Sequence, residues 1–411
     1  MIGKSSAVRK QPIFPIGIIL EREKYRIEGK HDSSFERSAR DEWLKEWSGE
    51  LLEPFRKLSN LVIKYDTCDF SATEKSKQFA DQYTEQLITL GRQAFNQFFE
   101  DHDAYEFFMK RISLFKKIGS YVSPFFWSRE IPYPWEVFYP REIGKDEDPV
   151  SFFWGMSYPL GRNLTKDPFD YHVEEQQAEC DMLFGLHKEL TYARQKEWPG
   201  LKELVIKNST DAIHVLGGDV GLCLAADNTC NDTDLLKYLF NANHNMVHFA
   251  CHCKRKEKDD FLKLSWIEGA INITDAEISG NIASIRLSPR TFLNEFGTFK
   301  RQQPLVFLNA CQTTGEIDDV TLDFNLPRKF IISKAAAVIA TMCPIPDLFA
   351  ADFAHKFYEF FLKENMEIGE ALRAARWFFW EKYNNPLGLA YGLYSSPFYK
   401  VAKPMSQGGL I

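Results

Sequence analysis

The sequence predicts an α/β protein: a mostly parallel sheet flanked by helices over the C-terminal two-thirds, preceded by a mixed, partly helical N-terminal region. Three observations predict it. Short apolar runs recur at Ala212–Leu216, Met246–Cys253, Pro304–Ala310 and Ala335–Thr341. A run apolar throughout suits a strand buried on both faces, as in a parallel sheet. Segments of helical period lie between and after these runs, as parallel crossovers require, and no repeat of roughly 20–50 residues points to a solenoid.

Taken in order, Phe14–Leu20 and Tyr25–Ile27 read as strands, and Pro15 and Gly17 put the first at a sheet edge. Its basic start resembles a signal peptide, but the charged run Glu21–Lys24 follows at once and no small-residue cleavage site appears. A charged helical segment follows around Asp41–Leu52. From Ser71 to Leu114 the pattern is helical, with Phe79, Tyr83, Leu87, Leu90, Phe95 and Phe98 at helical spacing. Strand-and-loop character begins near Tyr121, and Pro134–Phe138 reads as a strand end. Residues 173–207 read as helix broken at Pro199-Gly200. Ala212–Leu216 is then a strand, Thr233–Ala242 a helix, Met246–Cys253 a strand, and the charged run Lys254–Asp260 a solvated loop. Pro289–Phe299 is expected to be helical. So is Asp347–Lys363, with Phe349, Phe353, Phe357 and Phe360 on one stripe. A helix over Glu367–Trp380 and a strand over Leu389–Tyr394 close the chain. The expected division is 1–70 as an N-terminal region and 71–411 as one domain with halves 71–205 and 206–411.

Composition narrows the function. With 45% hydrophobic and 26% charged residues, the 411-residue chain has the balance of a soluble globular protein. Its net charge of −7 excludes a phosphate-binding field over the whole molecule, and the basic first thirty residues hold too few aromatics for a nucleic-acid platform. No run approaches the ~18 apolar residues that span a bilayer, so neither nucleic acid nor membrane is an expected partner. Eight scattered cysteines indicate free thiols in a reducing cytoplasm.

Two side chains stand out chemically. His252 closes the apolar run from Met246, and Cys311 closes the run from Leu305. Ligands of open parallel sheets bind beyond the carboxyl ends of the strands. If these strands are neighbours, a thiol and an imidazole meet at that rim as nucleophile and proton-handling group. The pattern alone leaves another reading open, because a strand-end cysteine is commonly a small buried hydrophobe and a lone histidine a core group. Zinc is disfavoured, although His244, His248, Cys251, His252 and Cys253 cluster: residues four apart on a strand are ~13 Å apart. Gly217-Gly218-Asp219-Val220-Gly221 lacks the spacing of a dinucleotide fingerprint and reads as a turn; Glu316, Asp318 and Asp319 read as a solvated loop.

At these residues the chain resembles the CHAT family of caspase-like peptidases, related to separase. The resemblance is carried by His248-Phe249-Ala250-Cys251-His252-Cys253 and by Leu308-Asn309-Ala310-Cys311. Pro134-Trp135-Glu136, Ala337–Asp347, Phe357-Tyr358, Glu370–Ala375 and the helix Gln82–Phe99 also resemble family segments. The resemblance implies a six-stranded caspase-like sheet, peptide-bond hydrolysis and no cofactor. Cys311 would be the nucleophile, His252 the acid/base, and the backbone N–H groups of Cys253 and Cys311 the oxyanion hole. Asp347 matches an acidic position that in separases helps to bind a basic side chain; its place after Pro346 equally suits a helix start. Two glycines usual in the family are absent. Cys253 follows the histidine, and Lys334-Ala335-Ala336 precedes the strand at Ala337. The implied partners are a protein substrate encoded nearby, in a bacterial defence or signalling system, and a regulatory protein or complex. A non-catalytic interaction module on the same fold is the alternative.

Overall fold

The computed structural model describes residues 13–21, 24–29, 35–38, 42–99, 102–117, 121–128, 134–140, 148–163, 175–176, 182–186, 190–208, 213–215, 239–241, 244–256, 259–267, 282–287, 297–300, 303–310 and 326–401.

Strands β1 (Ile13–Glu21), β2 (Lys24–Gly29) and β3 (Phe35–Ser38) join β4 (Tyr121–Ser128) and β5 (Gly161–Asn163) in one sheet, ordered β3-β2-β1-β4-β5. β1 is thus central, not an edge strand: it is antiparallel to β2 and parallel to β4. Pro15 precedes the β1–β2 ladder, which begins at Ile16, and lies opposite Ser123 in the β1–β4 ladder. The intervening helices are α1 (Glu42–Tyr65), α2 (Glu74–Phe98) and α3 (His102–Lys117), with a single turn α4 (Trp154–Ser157) before β5. A capping box starts α2: Thr73 Oγ1 accepts from the Ser76 N–H at 3.1 Å and Ser76 Oγ from the Thr73 N–H at 3.3 Å. Leu87, Phe95 and Phe98 of α2 are buried as expected, while Phe79, Tyr83 and Leu90 are partly buried.

Pro134–Phe138 is not a strand end. Trp135–Val137 form a buried 3₁₀ turn held by packing, with Trp135 stacked on Phe126 at 4.0 Å between ring centroids. The turn lies so close to α2 that a Cβ on Gly91 would come within 2.1 Å of the Val137 carbonyl oxygen. Only glycine fits there.

The second sheet is built from β7 (Met182–Leu186), β8 (Ile213–Val215), β9 (Met246–Lys256), β12 (Leu305–Ala310), β13 (Ala337–Thr341) and β14 (Tyr391–Tyr394). They run in the order β8-β7-β9-β12-β13-β14; every pair is parallel except β13–β14. This is a mostly parallel sheet covered by helices. β9 continues past its neighbours, and residues 252–256 pair antiparallel with β10 (Asp259–Ile267), which pairs with β11 (Ile282–Leu287). A short parallel pair, β6 (Glu175–Gln176) with β15 (Lys400–Val401), lies apart.

Helices α5 (Trp198–Asn208), α6 (Leu326–Ile332), α7 (Asp347–Tyr358) and α8 (Ile368–Tyr383) complete this half. Both faces of the sheet are covered. Phe307 meets Phe357 and Tyr358 of α7 on one face, and Phe249 meets Phe330 of α6 on the other. The alternation of a pleated strand sends neighbouring positions such as His248 and Phe249 to opposite faces. Among the described residues no helix is long and apolar enough to cross a membrane.

Several expectations are corrected here. Residues 182–186 are a strand, buried at 182–185, and not helix, since a five-residue apolar run has no period to read. Pro199 and Gly200 do not break a helix. They lie inside a continuous helical run that begins at Thr191, directly after the π-wound turn Ala193–Glu197. Lys254–Lys256 and Asp259-Asp260 are strand, because each charged segment is the other's antiparallel partner. Asp347–Lys363 winds as π-helix from Glu359, and the inserted residue moves the buried stripe from Phe360 to Phe361. Of Leu389–Tyr394 only Tyr391–Tyr394 is strand, after a 3₁₀ turn. Of Thr233–Ala242 residues 239–241 are described and helical; of Pro289–Phe299 residues 297–299 are described and are not helical. The rest of both segments lies outside the described residues.

The absent glycine before β13 has a structural counterpart. Lys334 has φ 71°, at the left-handed position closing α6, with Ala335 N–H bonded to the Phe330 carbonyl and Lys334 N–H to that of Ile331. That is a helix C-cap which ordinarily prefers glycine.

Candidate active site

The β9–β12 ladder is parallel and in register from Met246↔Leu305 to Cys251↔Ala310. The next residues in sequence after that last pair are His252 and Cys311. His252 lies on β9 with its backbone opposite Lys263 of β10, and Cys253 opposite Leu262. Cys253 therefore has strand backbone, not the left-handed conformation a glycine requirement would imply. Cys311 lies outside the described residues, as do Gly217–Gly221, Glu316, Asp318 and Asp319. β13 is parallel to β12, so the segment from Met342 to Asp347 leaves the sheet at this same carboxyl-end rim. Ser59 of α1 holds that segment by donating to the Pro344 carbonyl at 2.9 Å.

Asp347 does not cap its own helix. Pro346 occupies the N-cap of α7 without a side-chain bond. Instead Asp347 Oδ2 accepts from the Tyr192 N–H at 2.7 Å and Oδ1 from the Ala193 N–H at 3.0 Å. It caps the helical segment that begins at Thr191, a tertiary use of the same chemistry. Burial pushes its pKa up to about 6, against the lowering effect of the two N–H bonds.

Behind the rim lies a buried polar network that the sequence reading did not identify. Glu197 is 1% exposed and ends the π-wound turn before α5. Its Oε1 lies 2.8 Å from His248 Nε2 and accepts from Asn309 Nδ2 at 2.5 Å. His248 Nδ1 lies 3.3 Å from the Tyr358 hydroxyl, and its ring stacks on Phe184 at 5.0 Å. Asn309 Nδ2 also donates to the Ala350 carbonyl at 3.0 Å, while its Oδ1 accepts from Tyr391 at 2.7 Å. Burial, and then the charge of Glu197, push the Tyr358 hydroxyl well above its usual pKa. The available signal was an asparagine inside an otherwise apolar strand, because a buried amide must find partners. Nothing local marked Glu197.

Three described thiols, Cys68, Cys251 and Cys343, are buried and form no disulfide. Burial and the nearby Asp352 carboxylate push the Cys68 thiol up, so it is held as the unreactive form.

Comparison with known proteins bears on this geometry. Residues 172–386 match the family model described as CHAT domain. A probable protease of a Vitiosangium species is 33% identical over 106 residues, which is 26% of this chain and 14% of that protein's length. A chain of the Saccharomyces cerevisiae separase–securin complex superimposes with a TM-score of 0.53 at 11% identity, over 95% of this chain and 30% of the other. At that identity the likeness is one of fold. The Arg-specific cysteine proteinase gingipain R aligns over 74% of this chain and 69% of its own at 11% identity, with a TM-score of 0.43, too low to bear on the argument.

Proposed function

This chain belongs to the CHAT domain family, and on that premise we propose that it is a cysteine endopeptidase with Cys311 as nucleophile and His252 as acid/base. One observation carries the reading: β9 and β12 are adjacent and parallel, and their last paired residues immediately precede these two side chains in sequence. The protease name of the Vitiosangium relative supports the same reaction class.

The chemistry is acyl transfer. The Cys311 sulfur attacks the scissile carbonyl carbon, and the resulting oxyanion is held by the backbone N–H groups of Cys253 and Cys311, worth ~3 kcal/mol per donor. His252 polarises the carbonyl or gives a proton to the leaving amine. The C–N bond breaks to leave a thioester on Cys311, which water hydrolyses. Asp347, on the segment leaving the same rim, is the proposed contact for a basic side chain before the scissile bond. A carboxylate has about four acceptor sites, so a guanidinium can be added to its two N–H bonds. The substrate is one or a few partner proteins encoded nearby, cut in the cytoplasm in a bacterial defence or signalling system under control by a partner.

Site-resolved alkylation by iodoacetamide tests the nucleophile. Cys311 should react at least about tenfold faster than in His252→Ala and far faster than buried Cys68. A wild-type rate equal to that of His252→Ala removes the peptidase reading and leaves a non-catalytic module. Cleavage of a co-expressed neighbour by wild type but not by Cys311→Ala would identify the substrate. Undiminished cleavage after arginine in Asp347→Asn would remove the pocket.

A further inference from the structure

We propose that Glu197 is a positioning residue that ties β9 and β12 together behind the rim; the inference rests on the peptidase reading above and deepens it. Glu197 reaches both strands with one oxygen: it accepts a hydrogen bond from Asn309 of β12 and lies 2.8 Å from His248 Nε2 of β9, a close polar contact without hydrogen-bond geometry. His248 stands four residues before His252, and Asn309 two before Cys311. Counted along the sequence the spacing is even, the interval at which a pleated strand repeats its face. The carboxylate acts on the face of β9 and β12 that carries His248 and Asn309.

Three further observations favour positioning over mere packing. An almost wholly buried carboxylate is costly, and an apolar side chain would fill the space more cheaply if filling were its task. Glu197 also sits in a π-wound turn, whose inserted residue re-aims the side chains that follow it. The start of that helical segment is fixed by Asp347, which belongs to the segment leaving the same rim. Rim and network are thus linked in a loop: β13 to Asp347, Asp347 to the backbone of residues 192 and 193, Glu197 to His248 and Asn309, and these to β9 and β12. Tyr391 and the Ala350 carbonyl hold Asn309 from the far side. Misplacing reacting groups by about 1 Å can cost around a hundredfold in rate, so such a clamp has something to protect.

The test is alkylation of the full-length protein by iodoacetamide, from about pH 6 to about pH 9, with each cysteine read separately by mass spectrometry. Buried Cys68, Cys251 and Cys343 serve as internal reporters of unfolding. Glu197→Ala should slow Cys311 alkylation at least about tenfold while those three stay as protected as in wild type. Glu197→Gln keeps an acceptor for Asn309 and a polar group for His248, and should stay within about threefold of wild type. A wild-type rate in the alanine variant, an equal loss in both variants, or exposure of the buried thiols in step with Cys311 overturns the proposal. Should the alanine variant not fold, Asn309→Asp sets a second carboxylate against Glu197. Relative to wild type it should slow Cys311 more near pH 8 than near pH 6, and a ratio independent of pH overturns the proposal. If wild-type Cys311 is itself no faster than in His252→Ala, the peptidase reading fails first; if it is faster but indifferent to Glu197, only the clamp fails.

Discussion

Two buried polar clusters solve the same physical problem differently. In the first, Glu136 pairs with Arg162 of β5 through both guanidinium nitrogens and lies 3.5 Å from Arg376 of α8. Arg376 also donates to the carbonyls of Gly388, Gly155 and Tyr391 at 3.2, 2.9 and 2.6 Å. Full charges there are met by full charges and fixed carbonyls, joining the first sheet, the Trp135–Val137 turn and the last helix. Burial lowers the Arg376 pKa to about 10, still far from neutrality. Beneath the rim, Glu197 is met only by an imidazole and an amide in the contacts described above. The first arrangement sets two guanidinium groups against a carboxylate at the seam between the first sheet and the last helix; the second sets an imidazole and an amide against a carboxylate beside the candidate chemistry.

The sharpest way to break the comparison is to remove a charge from the seam. Glu136→Ala leaves two buried guanidinium groups without their carboxylate and should cost about 3–5 kcal/mol in urea unfolding. A loss below about 1 kcal/mol would remove the contrast between seam and rim. Tyr358→Phe removes only the hydroxyl beside His248 and should cost about 1 kcal/mol, with slower Cys311 alkylation. The same variant leaving both quantities unchanged would detach Tyr358 from the network.

Asp347 gives a pH test. Its folded pKa of about 6 exceeds the ordinary 3.8, so the folded state holds the proton more tightly between those values. Its contribution is therefore fully present below pH ~4 and is lost as pH rises through about 6. The loss should be about 1 kcal/mol, discounted for a partly exposed group, and absent in Asp347→Ala. Parallel stability–pH curves for the two proteins would contradict this. The smallest effect is a gain: Lys334→Gly relieves the left-handed cap of α6 and should raise stability by about 1 kcal/mol without altering Cys311 reactivity.

What could be read in advance divides along physical lines. The strands at Met246 and Leu305 were legible because each is a bounded apolar run; that β9 runs on past the end of β12 to Lys256 was not. Met182–Leu186 was not, since five apolar residues carry no period. Lys254–Asp260 was not either, because charge reports exposure and says nothing of backbone pairing. Pro134–Phe138 is held in its turn by contacts with Phe126, α2 and Arg162, all outside the turn itself.

By itself the sequence determined the class of fold, the family, and the two residues to which the proposed chemistry is assigned, because those depend on composition, local pattern and a short motif. The tertiary structure alone decided that Asp347 caps a helix starting 156 residues earlier, at Thr191, and that Glu197 faces both strands. A polar side chain buried in folding must take whichever partners the packing brings to it, and no local pattern records who they will be.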